Sequence, residues 1–202
     1  MEVLEVMWYP DFIDDVKRYL KLNEPGLDHD NVLIEECIDR AESHLENWTN
    51  RYLKAREETR VFDYPADDPS YLLMRYEDLQ EVITLTNGDG TVISAYNFVY
   101  EPANRGEGAY RKPAYAIRLI NDAYFTYEDN PYQCIKVRAW WGYQMEPDAL
   151  TKQALIRLTC FFYKQKDSQV FDTTSFVDGG VLVIPDGVPK YVADFVKMRS
   201  KR

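Results

Sequence analysis

The 202-residue chain is 46% hydrophobic and 29% charged, a globular balance that excludes wholesale disorder. Its 24 Lys and Arg stand against 34 Asp and Glu, a formal charge of −10 that excludes a broad grip on nucleic acid, because the phosphates would be repelled. The three cysteines, Cys37, Cys134 and Cys160, lie far apart and form no C-x-x-C pair, which excludes a disulfide framework and a zinc knuckle.

In chain order, the first ten residues carry Glu2 and Glu5 where a signal peptide would be basic, and no apolar run reaches membrane-spanning length. Residues 12–22 read as a short helix with Phe12, Val16, Tyr19 and Leu20 on one face. Asp30 is placed to cap a second helix, along which Ile34, Ile38, Ala41, Leu45, Trp48 and Tyr52 recur every three or four residues. A stripe that long calls for a packing partner, because an isolated helix gains little from one apolar face.

The middle of the chain reads as strands: 71–74, 81–86, 97–100, 115–120 and 133–140. Between 86 and 91 lies Asn87-Gly88-Asp89-Gly90, which supplies the positive φ a tight hairpin needs. Residues 104–113 read as an exposed loop, as do 167–181, where Asp178-Gly179-Gly180 makes a turn before the apolar run 181–184. A third helix follows Met145, with Pro147 allowed in its first turn and Leu150, Ala154, Leu155, Leu158, Phe161 and Phe162 on its core face. A fourth follows Pro189 and carries Tyr191, Val192, Phe195 and Val196.

The expected fold class is α+β. Helices from 1–59 and 144–202 pack together as one domain, and an antiparallel β lobe, 60–143, is inserted between them.

Charge is uneven along this plan. Residues 1–110 hold 24 acidic and 10 basic side chains, whereas residues 190–202 hold five basic side chains and one acidic. An acidic front and a basic tail suit head-to-tail contact between copies or docking on an acidic partner. The plainer reading is a last helix whose cations complement its own dipole.

Catalytic signatures are missing. There is no G-x-S-x-G, no H-E-x-x-H, no phosphate-binding glycine loop, and only two histidines, His29 and His44, with no partner at metal spacing. Asp63, Asp67 and Asp68 carry the atoms of a hard-cation site but not the spacing of a calcium loop, and read as a solvated turn. No cofactor is expected, and an enzyme is disfavoured by elimination. A hydrolase with a dispersed carboxylate site in the β lobe is the alternative of a different class. Trp140-Trp141-Gly142-Tyr143 is the remaining pattern, read either as a packed hinge or as an exposed aromatic hot spot.

Taken in order, several segments resemble the head–tail connector proteins of tailed phages, also called adaptor or head-completion proteins. They are Tyr19-Leu20-Lys21-Leu22, the second helix leading into Thr49-Asn50-Arg51-Tyr52 (where relatives often show Thr-Gly-Arg), the hairpin around Gly88-Asp89-Gly90, and the strand ending in Trp141-Gly142-Tyr143. Tyr163-Lys164-Gln165-Lys166-Asp167-Ser168 then follows in the next helix. The resemblance spans most of residues 12–200; order and spacing carry it.

It implies a structural protein of the virion neck, present in the host cytoplasm during assembly. Such adaptors form a ring, dodecameric as a rule, beneath the portal. They extend the DNA channel and offer a platform to the stopper or tail. A neck stopper or other tail-joining protein is the alternative within the class. The expected partners are copies of the chain, the portal, the stopper or tail protein, and DNA in passage, with no membrane. The candidate interface residues are Trp140, Trp141, Tyr143, Tyr191, Phe195, Lys197, Arg199, Lys201 and Arg202, with residues 190–202 expected to cross to the portal or to an adjacent subunit.

Overall fold

A computed structural model describes residues 12–22, 30–75, 77–108, 111–165 and 187–201. The expected loop 167–181, its Asp178-Gly179-Gly180 turn, the run 181–184, His29 and Arg202 lie outside the described residues. The chain divides into two compact units: residues 1–50 with 149–202, which hold the helices, and residues 51–148, which hold the strands. The class is α+β, as the sequence implied.

The helical unit contains α1 (Phe12–Leu20), α2 (Asn31–Thr49), α3 (Ala149–Gln165) and α4 (Lys190–Arg199). α3 is its centre and packs against α1, α2 and α4. It accordingly buries more than one stripe: Thr151, Ala154, Leu155, Ile156, Leu158, Thr159, Cys160, Phe162 and Tyr163. Leu150, expected in the core, is exposed instead: in the first turn of α3 it is Thr151 that faces inward.

α2 buries Ile34, Cys37, Ala41, Leu45 and Thr49, one residue per turn along the expected face. The stripe ends earlier than periodicity implied. Asn50 adopts φ +53 in the left-handed region and stops the helix, its N–H turned back to the carbonyls of Glu46 and Asn47. This is the position where glycine is the natural residue and asparagine the next best, so the Thr-Asn-Arg departure is conformationally benign.

α1 closes in the same way. Lys21 takes φ +61, and the N–H groups of Lys21 and Leu22 donate to the carbonyls of Arg18 and Lys17. Phe12 and Val16 are buried, but Tyr19 faces solvent. The Asp30 side chain makes no capping bond to α2; its carboxylate accepts from the Tyr163 hydroxyl and so ties α2 to α3.

The β unit has two antiparallel sheets. One has four strands in the order β1-β7-β3-β4, with β1 at Arg56–Phe62, β3 at Leu79–Thr86, β4 at Val92–Ile93 and β7 at Ile135–Trp141. The other has three, β2-β6-β5, with β2 at Tyr71–Leu73, β5 at Phe98–Glu101 and β6 at Ala116–Leu119. Their shared core contains Leu72, Leu85, Phe98, Ile117, Leu119, Phe125, Ile135, Val137 and Trp141.

The expected hairpin joins β3 and β4 through Asn87-Gly88-Asp89-Gly90, pairing Leu85 with Ile93. Gly90 supplies φ +83, and the Asp89 carboxylate accepts from Thr91 N–H and from the Thr91 and Thr126 hydroxyls. A side chain at Gly88 would meet the Thr126 carbonyl at 2.5 Å, so this glycine serves close approach rather than φ.

Candidate assembly surfaces

Alternation along β7 divides the Trp-Trp pair. Ile135, Val137, Ala139 and Trp141 point into the core, while Lys136, Arg138 and Trp140 point out. Trp141 is fully buried. Its indole N–H donates to the Glu58 carbonyl at 3.1 Å, Phe62 lies beside its ring, and the Arg60 guanidinium sits over it at 4.6 Å. Arg60 is in turn gripped by Glu58 and Glu77. Trp141 is therefore a structural anchor, and the surface reading passes to Trp140.

Trp140 lies half-buried on the open face of the four-stranded sheet. The register sets it between Glu57 on β1 and Glu81 on β3. The next outward row pairs Arg138 with Thr59 and Thr84, and the row beyond pairs Lys136 with Val61 and Thr86. Arg138 bonds Glu57 at 2.7 Å, and Arg111 bonds Glu81 at 2.7 Å. Val61 is 46% exposed and Ile83 43%. Ile83 is the extra residue of a bulge between Val82 and Thr84, which leaves it without a place in the core. The face thus mixes an aromatic, two aliphatics and paired charges, the composition of a polar-rimmed contact surface.

A second bulge, between Leu79 and Glu81, turns Gln80 inward. This fully buried amide donates to the carbonyls of Gly142 and Tyr143 at 3.2 and 2.6 Å. Gly142 has φ +155, and a β-carbon there would lie 2.6 Å from Ala55 Cα. The glycine is thus required by the backbone passing beside it as much as by the turn itself. Tyr143 is half-buried, with Arg51 over its ring at 4.9 Å.

α4 stays within its own unit. Val192, Phe195 and Val196 are buried, Tyr191 lies under Arg157 at 4.4 Å, and Arg199 packs at the Phe195 ring. Beyond the helix, Ser200 Oγ donates to the Trp48 carbonyl and Lys201 N–H to the Thr49 carbonyl at 3.0 Å. In the chain by itself, the apolar side of α4 packs on α2 and α3. What the helix offers outward is Lys190, Asp194, Lys197 and Met198, the last 64% exposed. Lys197 and Arg199 also fall in the last turn of α4, where they complement its dipole.

The remaining chemical groups have structural partners. Asp63 accepts from Gln133 N–H, and Asp68 from Ser70 N–H and Oγ, which holds its carboxyl below the usual range. Among the described residues, no three His, Cys, Asp or Glu side chains converge as a metal site would require. No described helix is long and apolar enough to cross a membrane. Burial pushes the Cys160 thiol up to about 11, so it stays protonated and unreactive. His44 packs between Trp48 and Phe162, at 5.1 and 5.3 Å between ring centres. Burial, reinforced by Arg40, lowers its pKa.

By sequence the chain matches neither a protein-family model nor a curated protein. By structure it is similar to a chain in the neck of an empty gene transfer agent particle computed with C6 symmetry. The identity is 13%, the match covers 100% of this chain and 94% of that one, and the TM-score is 0.56. It is also similar to a chain of the virion of a native gene transfer agent particle, at 15% identity, 96% and 91% coverage and a TM-score of 0.51. At these identities the likeness is one of fold, and it agrees with the connector resemblance read from the sequence.

Proposed function

We propose that the chain is a structural protein of a phage-type neck, an adaptor that forms a ring beneath the portal, extends the DNA channel and receives the stopper or tail. The observation that carries this reading is the end-to-end match of both units to a neck chain, 100% of this chain on 94% of that one. A match confined to one unit would have suited any protein that borrowed a common domain. The charge of −10 supports the channel role, since an anionic lining lets a polyanion slide past where a cationic one would retain it. A ring needs a heterologous contact, one face meeting a different face on the neighbour. The open face around Trp140 and the Lys197–Met198 side of α4 are two such unlike surfaces. The chain then works in the virion neck and passes through the host cytoplasm during assembly.

Mass photometry and negative-stain imaging of the purified protein, alone and with its portal, test this. Closed multimers in either sample are expected. A strict monomer in both would overturn the adaptor reading.

A further inference from the structure

The loop at 104–113, expected to be solvent-exposed, contains a buried cation. Arg105 is only 7% exposed. Its Nε donates to the Lys112 carbonyl at 2.8 Å, and one terminal nitrogen, Nη2, donates to the carbonyls of Leu79 and Gln80 at 2.9 and 2.8 Å. Its guanidinium lies 4.7 Å from the Tyr100 ring centre. The other terminal nitrogen, Nη1, has no hydrogen-bond partner among the described residues. No described carboxylate lies within ion-pair distance of the group. Carbonyl dipoles satisfy the donors they reach but do not neutralise the charge, and a buried charge without a counterion is costly.

Arg105 lines a groove of about 420 Å³ with Phe98, Val99, Tyr100, Ala103, Gly106 and Arg111. Arg111 is the second cation, and its charge is already met by Glu81 at 2.7 Å. The groove therefore carries one unmatched positive charge beneath an aromatic and aliphatic wall, within a chain of net charge −10. Burial first, and the nearby Arg111 charge second, draw the Arg105 guanidinium down to about 10, against the opposing pulls of Tyr100 and Glu81.

We infer that the groove takes a carboxylate side chain presented by a second copy of this chain, whose methylene stem lies on Phe98 and Val99 while its oxygens meet Nη1 of Arg105. The inference rests on the ring reading above. A second copy is the fitting occupant by charge complementarity. Copies of net charge −10 repel unless each contact sets carboxylates of one against cations of the other, and this chain supplies 34 acidic side chains to draw on. A charge-assisted bond to a preorganised, desolvated guanidinium is among the stronger polar contacts available to such an interface.

Arg105 itself staples the loop to β3, so its removal would confuse folding with binding. Ala103, exposed and lining the same groove, is the better position. Ala103→Glu supplies the carboxylate from within, whereas Ala103→Gln supplies the same bulk without charge. The assay is mass photometry of wild-type and variant full-length protein, with portal added if wild type requires it, alongside thermal melts. All three proteins are expected to fold, with Ala103→Glu melting no lower than wild type. Its multimer formation is expected to weaken by about tenfold or more, whereas Ala103→Gln stays within about threefold of wild type. Undiminished multimers from Ala103→Glu would overturn the groove inference and leave the ring reading standing. Equal loss in both variants would overturn the role of charge. Wild type that never associates, with or without the portal, would overturn both readings together.

Discussion

Lys152 on α3 donates to the Asp15 carboxylate on α1 at 2.8 Å, and Arg18 reaches the other oxygen of the same carboxylate at 2.9 Å. The Lys152 hydrogen bond, ahead of the charges around it, holds the Asp15 carboxyl below its ordinary 3.8. A carboxyl depressed in the fold stabilises it above the unfolded value, and that contribution is lost as pH falls through the folded one. Asp15→Asn is therefore expected to cost at most about 1 kcal/mol near neutrality, since water reaches the pair. The difference from wild type should shrink in melts recorded at successively lower pH below 3.8, as the folded value is passed.

His44 gives a second, higher window. Its pKa lies below 6.5 because burial between α2 and α3 disfavours the imidazolium. The neutral form fits, so the associated stability is intact above pH 6.5 and is lost as pH falls through the folded value. His44→Leu is expected to flatten the pH dependence of the melting temperature between pH 7 and 5. A slope equal to that of wild type would contradict the assignment.

Neighbouring tryptophans should behave oppositely. Trp141→Ala removes a fully buried ring and is expected to cost about 3–5 kcal/mol in denaturant unfolding. Trp140→Ala touches the open face, and should unfold within about 1 kcal/mol of wild type while weakening multimer formation. Equal assembly by Trp140→Ala and wild type would remove this face from the interface.

Gly142→Ala is expected to cost about 3 kcal/mol or more, because the new methyl would meet the Ala55 backbone at φ +155. The loss should appear in urea melts of the full chain.

Deleting residues 188–202 would strip Val192, Phe195 and Val196 from the core, so lost assembly in that variant would say nothing about docking. Lys197→Glu leaves the core intact. It is expected to fold like wild type and to bind portal or neighbour about fivefold more weakly, with a salt dependence that binding assays can read.

The parts of the fold legible in the sequence were those with a local cause. α2 announced itself by an apolar residue each turn, and the β3–β4 hairpin by Asn-Gly and Asp-Gly. β1 did not, because Arg-Glu-Glu-Thr-Arg-Val-Phe is an edge strand whose charges face water or pair with Glu77 and Arg138, leaving little apolar alternation to read. Asp30 looked like a cap, but a tyrosine 133 positions away took its carboxylate. Arg105 was unreadable for the same reason: arginine is buried only when distant carbonyls converge on it, and those belong to β3 and to Lys112. Among the candidate interface residues, alternation along β7 could have separated Trp140 from Trp141, whereas the burial of Phe195 depends on α3 and was invisible locally.

The helical unit is discontinuous in sequence, whereas the β unit is one unbroken stretch ending at residue 148. During synthesis the strands can therefore find their partners while the ribosome is still adding α3 and α4. α2, made much earlier, must wait with its apolar stripe uncovered until α3, its main partner, follows. Translational pausing between the β unit and α3 would prolong that exposure, and a chaperone would then be needed at α2 rather than at the strands just made.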